Sequence, residues 1–449
     1  MKRILLVFVC FQFFSMLLVA GDKRINVTVR NPLRMARPAE TISLSWAAIT
    51  KYDADVSPSN ISVVDQKGGT NILSQSLGGE FLFQSDLLPN ETKMFVLKAG
   101  SSSGPGAQSK VDGRFMKPRE DYAWENDRIA FRMYGPALAK EVSNGIDVWV
   151  KRVRNLVVQR WYKGDEDTGS ARVSYHIDHG EGADFFNVAK TLGAGACAIW
   201  HNKKVYEPGV FSSYKTIANG PLCIVFELYY DSLNVNGKLY KEQCRISLDA
   251  GRNLNKIEVT FTGTNSDEEI EIAVGLVKRP NTVQFKNEEH CWMSLWGLTN
   301  EDSINGYLGT GVILPKSAFK GFAEENDQYL VIGHVKSGHA LTYYAGAGWT
   351  RSGDFSRAED WNGYLTGFST MLRNPLKVDI TAGGSRATHV QRRLLGSNLT
   401  ASCPRVIIPS SIRSVHECPQ FSRTHSLYCR LGEKRGPGTM LIFFSSALW

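Results

Sequence analysis

The chain has 449 residues, 43% of them hydrophobic and 21% charged, a length that suits two domains. Its net charge of +8 sits at the ends: +7 falls after Thr381 and +2 on Lys2 and Arg3, leaving a body of net −1. A near-neutral body gives no electrostatic case for nucleic acid or an anionic membrane, although local basic groups can still bind one acidic sugar.

Residues 1–21 read as a secretory signal. Lys2 and Arg3 precede an apolar stretch too short to span a bilayer, and the small residues Ala20 and Gly21 follow. No later segment has the apolar length of a membrane helix. The expectation is a secreted or periplasmic protein with no integral membrane segment after signal cleavage.

From 22 to 108, short runs such as 25–29 and 41–46 alternate apolar and polar residues between Pro, Asn, Asp and Gly clusters. This period of two predicts a small N-terminal β-sandwich. The Gly/Ser-rich stretch 100–106 then reads as a linker. From 111 to 381 the chain is again strand-rich. Residues 256–261 and 269–274 alternate cleanly, whereas 147–151, 223–230 and 329–333 read as strands buried on both faces. No long stretch shows the repeat of an amphipathic helix, and 373–380 reads as the last strand of this larger body. So many strands must stack or close to protect their edges, so the fold class is all-β, with the small sandwich followed by a large antiparallel one. Residues 382–449 are basic, lose periodicity and are assigned no function.

Once Cys10 leaves with the signal and the tail cysteines are set aside, Cys197, Cys223, Cys244 and Cys291 remain. None shows C-x-x-C spacing, so buried thiols and disulfides both stay open. The glycine-rich pieces 193–196 and 346–349 lack the strand–helix context and Walker lysine of a nucleotide loop. No G-x-S-x-G elbow is present. The acidic stretch from Asp53 carries Pro58 where a calcium loop needs glycine.

The densest chemistry lies in residues 175–186, where His176, Asp178, His179, Glu181 and Asp184 alternate with glycines. If extended, His176 and Asp178 point one way while His179 and Glu181 point the other. A strand running into a loop would let both imidazoles line one cleft. Aromatics are the second signal. Trp124 lies beside Glu125, Asp127 and Arg128, and Trp349 precedes Arg351 in a glycine-rich loop. A planar ring can lie on a sugar's C–H face while neighbouring polar groups bond its hydroxyls, and arginine adds a fork that matches a carboxylate. Together these point to a cleft for an acidic oligosaccharide.

At these residues the chain resembles the bacterial family called domain of unknown function 4861. The matching segments are 119–136, 145–153, the block 176–186, and 344–349, within coverage from about 25 to 381. The resemblance implies a secreted bacterial protein found alongside enzymes that dismantle pectin-like, uronate-containing polysaccharides. It also implies a large domain similar to the β super-sandwich of mutarotases and several polysaccharide lyases.

Three reactions suit this constellation. A lyase or epimerase would use Arg128, Arg132 or Arg351 to neutralise a uronate carboxylate. His176 or His179 would then remove the adjacent proton, and Tyr134 or the second histidine would protonate the leaving oxygen. A glycoside hydrolase would need paired carboxylates, drawn from Glu125, Asp127, Glu181 and Asp184. A non-catalytic module would need only Trp124, Trp349 and the arginines. No cofactor is expected, with a divalent metal on His176, His179 and Asp184 as an open alternative.

Overall fold

The computed structural model describes residues 23–100, 108–117, 119–265 and 268–383. The expected signal, most of the linker and nearly all of the basic tail lie outside the described residues. The described chain is all-β and sandwich-like, built from antiparallel sheets. Among the described residues no helix is long and apolar enough to cross a membrane.

The N-terminal strands gather around their own apolar core. Strand Arg24–Arg30 alternates strictly, turning Ile25, Val27 and Val29 inward against Phe95 and Leu97 of Thr92–Ala99. The sheet of Arg37–Ser45, Glu80–Leu87 and Ser74–Leu77 contributes Ile42, Leu44, Phe81 and Phe83 to the same core. A short helix, α1 (Trp46–Thr50), starts where the Ser45 hydroxyl accepts from the Ala48 N–H at 3.2 Å.

Strand Lys377–Gly383 does not end the larger body, as the sequence suggested. It pairs with Arg24–Arg30, from Arg24 opposite Gly383 to Arg30 opposite Lys377. Val378 and Ile380 pack on the N-terminal core. The alternation specified one apolar face without specifying which sheet that face would cover.

A nine-stranded antiparallel sheet forms the centre of the larger body. Its inner face carries Phe226, Ile246, Ile257, Leu295 and Tyr343. These pack against two five-stranded sheets, one running from an edge at Lys204–Tyr206 to an edge at Phe319–Glu325 and one that carries the site described below. Gly195, at φ 114°, lets the layers approach, because a Cβ there would lie 2.3 Å from that of Ala345. Cys197, Cys223, Cys244 and Cys291 are free and buried.

The outer face is covered by a helix that the sequence reading did not find, here called α3 (Ala358–Arg373); the seven-residue Val158–Gly164 is α2. Trp361, Leu365 and Phe368 recur at helical spacing and pack on Leu254, Trp292, Trp296 and Ile313. Gly363, Gly367 and the hydroxyl-bearing positions Thr366, Ser369 and Thr370 weaken its intrinsic helical preference. Tertiary packing of the apolar stripe, rather than propensity, holds it.

Candidate functional site

The sheet that carries the site comprises Val111–Met116, Asp121–Asn126, Ile129–Met133, Asp147–Lys151 and Gly182–Asp184, each antiparallel to the next. Strand alternation sorts its side chains by chemistry. Tyr122, Trp124, Phe131, Val148 and Val150 enter the inner core. Asp121, Ala123, Glu125, Ala130, Arg132, Asp147, Trp149 and Lys151 hold the alternate positions and face outward. Register then sets Arg132 opposite Asp147 and Trp149 opposite Asp184. Gly182, at φ 117°, permits that last pairing, since a Cβ would fall 2.0 Å from the Val150 carbonyl oxygen.

The outcome is one buried guanidinium among three carboxylates. Arg132 meets Asp147 at 2.7 Å, Asp184 at 3.0 Å and Asp121 at 3.6 Å. It also donates to the hydroxyls of Tyr134 at 3.2 Å and Tyr175 at 3.3 Å. Its carbon centre lies 5.1 Å from the Trp149 ring and 4.7 Å from that of Tyr134. Burial works against this positive charge, but Asp147 and Asp184 outweigh it and hold the group firmly protonated.

Three carboxylates exceed one cation. Burial pushes Asp121 up to about 6, with Arg132 opposing. Burial also raises Asp184, and the neighbouring Asp147 adds to the shift. Oδ1 of Asp121 and Oδ1 of Asp184 are buried with no hydrogen bond of normal geometry among the described residues. Burial likewise raises the Tyr134 phenol, keeping it protonated.

The cluster opens on one side. Arg132, Tyr134, His176, Asp184, Phe185 and Glu141 line a cleft of about 430 Å³. The exposed His176 ring lies 4.5 Å from the Tyr175 ring, its Nδ1 3.1 Å from the Asp184 carbonyl oxygen and 3.6 Å from Oδ2 of that residue. A carbonyl can only accept, so this contact places the proton on Nδ1 and leaves the Nε2 lone pair free.

His179 does not join it. Its Nε2 lies 3.2 Å from the Ser174 carbonyl oxygen, and it lines a separate hollow of about 240 Å³ with Trp161, Tyr175, Ile177 and Glu181. Glu181 is held by Arg160 and by the Trp161 indole N–H, and the Arg160 contact lowers its pKa. Among the described residues, no group of three His, Cys, Asp or Glu side chains is arranged to hold a metal ion.

The remaining candidates scatter. Trp124 is fully buried, donating to Asn255 at 2.7 Å and stacked on Phe131, so it offers no face to a sugar. Trp349 is also buried, its indole N–H donating to the Asn305 carbonyl at 2.7 Å behind Phe185. Glu125 is sealed against Lys151 at 2.5 Å and accepts the Val157 and Val158 N–H groups at the start of α2. Asp127 accepts from Gly251 N–H at 2.6 Å, and Arg128 pairs with Asp354 at 2.5 Å. Arg351 lies 3.3 Å from Asp178. The expected meeting of Trp124, Arg128, Arg132 and Trp349 with both histidines around one cleft therefore does not occur. Alternation along 121–126 turns Trp124 away from Glu125, and only Arg132 reaches the His176 side.

Asp121, Asp147, Tyr175 and the half-exposed Trp161 are the participants that the sequence reading passed over. The signal was present in 147–151, where Asp147 and Lys151 flank Trp149 on one face of a strand read as wholly buried. A buried strand carries charge only where a partner awaits it.

Fold and site define an all-β protein with a histidine-edged cleft over an arginine–carboxylate cluster. The chain belongs to the family described as Domain of unknown function (DUF4861), which it matches over residues 29–378. It is 32% identical over 391 residues to "Uncharacterized protein P7" of Formosa agariphila, covering 79% of this chain and 93% of that one. Among solved structures, it matches a protein in glycosyl hydrolase family 38 from Enterococcus faecalis with a TM-score of 0.44 and 11% identity. That match covers 80% of this chain and 47% of the other, about half its length, and a likeness at that level carries no inference.

Proposed function

We propose that the His176 cleft acts on uronate-containing oligosaccharides by proton abstraction, as a lyase or epimerase. The observation that carries this reading is that His176 and Tyr134 line one cleft. The Asp184 carbonyl holds the His176 Nδ1–H, so Nε2 carries the lone pair of a base in the cleft lining. Tyr134 accepts from Arg132, which leaves its own proton free to donate, and burial keeps that proton in place. A base and an acid thus line one space of sugar size. The aspartates occupy Arg132, so it orients Tyr134 and Asp184 rather than clamping the substrate carboxylate.

The hydrolase alternative draws less support. Glu125 is closed off by Lys151, Asp127 by Gly251 and Glu181 by Arg160 and Trp161, and Asp184 is buried at the cleft floor. Incubation with pectin- and glucuronan-derived oligosaccharides tests the proposal. A lyase creates a new ultraviolet-absorbing double bond, and an epimerase leaves mass unchanged while altering the sugar's proton spectrum. Addition of water, seen by mass spectrometry, would replace the proposal with hydrolysis. Binding without any change would leave a carbohydrate-binding module.

A further inference from the structure

The aspartates that occupy Arg132 leave the cleft without a clamp for substrate charge, yet four arginines gather around the Thr350–Ser352 turn. Asp178 is nearly sealed, with 5% of its side chain exposed. Its Oδ1 accepts the N–H groups of Gly180 at 2.8 Å and Gly182 at 3.0 Å, and its Oδ2 meets Arg152 at 3.0 Å and Arg351 at 3.3 Å. Asp354 meets Arg128 at 2.5 Å and Arg154 at 2.8 Å. Four guanidinium groups therefore share two carboxylates. Glu301 and Asp302, on the adjoining turn, form no ion pair with any of the four.

Use of the nitrogens, not exposure, divides the arginines. Arg154 bonds Asp354 and the Ser352 carbonyl through both Nη atoms, and the Arg128 Nε is buried. Arg152 and Arg351 keep 35% and 29% of their side chains open to solvent, whereas the aspartate between them is closed. Each uses only Nη1 among the described residues: Arg152 toward Asp178, and Arg351 toward Asp178 and the Ile304 carbonyl. Nε and Nη2 of both remain available, and these form the planar edge that fits a carboxylate in bidentate fashion. Neither arginine lines the cleft itself, but two short paths connect the pair to it. Asp178 lies two residues beyond His176, and Arg351 sits 5.7 Å from the Trp349 ring, itself 6.2 Å from Phe185 of the cleft lining.

We propose that Arg152 and Arg351 form an oxyanion subsite that grips a carboxylate or sulfate group on the sugar chain occupying the cleft. This rests on the oligosaccharide reading above and adds where the substrate's charge is held. Asp178 sets the spacing of the two guanidinium groups, and their excess charge draws the anion.

Calorimetric titration with oligogalacturonate, dextran sulfate oligomers and neutral dextran tests it, using wild type, Arg152→Gln, Arg351→Gln, the double variant and His176→Ala. Wild type should bind an anionic oligomer with an affinity that falls as salt rises, and should ignore dextran. The double variant should lose tenfold or more, and Arg351→Lys, which keeps the charge without the fork, should recover only part of the oligogalacturonate affinity. If dextran sulfate shows the same loss and oligogalacturonate does not bind, the oxyanion is a sulfate. If the double variant fails to fold, the singles decide, because each leaves Asp178 one arginine; a threefold loss in each is expected. Binding by the singles and double within twofold of wild type overturns the subsite, as does equal affinity for dextran. His176→Ala should keep the salt-dependent preference for the anionic oligomer, which the arginines carry. A wild type that grips the anion but turns nothing over would reject proton abstraction and leave the subsite standing, whereas full turnover with unchanged KM in the double variant would reject the subsite alone.

Discussion

Two buried ionic groups lie on the same face of one sheet, and they differ in balance. Near one end, Lys151 meets Glu125 at 2.5 Å and donates to the Asn126 carbonyl at 2.6 Å, while Glu125 also takes two backbone N–H groups of the α2 start. One cation faces one anion and the oxygens of Glu125 are used. Toward the other end of the same strands, Arg132 faces three aspartates, two carboxylate oxygens lack good partners, and a cleft opens above. A buried charge persists only when paired, so the balanced group reads as architecture. The unbalanced group retains capacity to bond or to hold a proton, and it is the one beside an exposed imidazole.

The largest expected effect comes from unbalancing the balanced pair. Lys151→Met removes a buried cation and leaves Glu125 uncompensated, which should cost about 3–5 kcal/mol and sharply lower Tm in thermal unfolding. If stability barely changes, the contrast between the two groups is wrong at its architectural end.

The opposite manipulation relieves the crowded group. Asp121 titrates near 6 in the fold against an ordinary value of 3.8, so between those values the native state holds a proton that the unfolded chain has released. Its contribution to stability is therefore present at low pH and fades as pH rises through about 4 to 6, by about 3 kcal/mol in all. Asp121→Asn, with no charge to bury, should lack that component. In denaturant titrations its stability relative to wild type should climb over this window and then level off. A difference independent of pH would show that Asp121 ionises freely.

Much of this contrast was written in the chain, and some of it was not. Alternation along 121–126 and 147–151 fixes which side chains share a face. Applied strictly, it separates Trp124 from Glu125, although adjacency in sequence suggested one aromatic–acid surface. It also separates His176 from His179 and Glu181, and the structure keeps that division while the loop reading blurred it. Cross-strand register was not legible. Nothing local to Arg132 says that Asp147 lies opposite it or that Asp121 and Asp184 converge from strands far apart in sequence. Helix α3 was legible in Trp361, Leu365 and Phe368, but glycines masked it. The sheet joined by Lys377–Gly383 depended on where that helix delivers the chain.

The smallest stability effect, and the most informative for function, is expected from the two histidines taken singly. Both are exposed, each has one ring nitrogen near a backbone carbonyl, and they are three residues apart, so His176→Ala and His179→Ala should each change stability by less than about 0.5 kcal/mol. Their positions differ in one respect: only His176 shares the cleft with Tyr134 and Asp184. If proton abstraction is the chemistry, His176→Ala should lower turnover of a uronate oligosaccharide about a hundredfold or more while KM moves little. His179→Ala, altering the neighbouring hollow with Trp161, should leave turnover within about threefold of wild type, less than the contribution of a general base. Equal losses in both variants would mean that the two hollows act as one site. Loss confined to His179→Ala would move the chemistry to the Trp161–Glu181 side and reduce the crowded arginine cluster to a structural role.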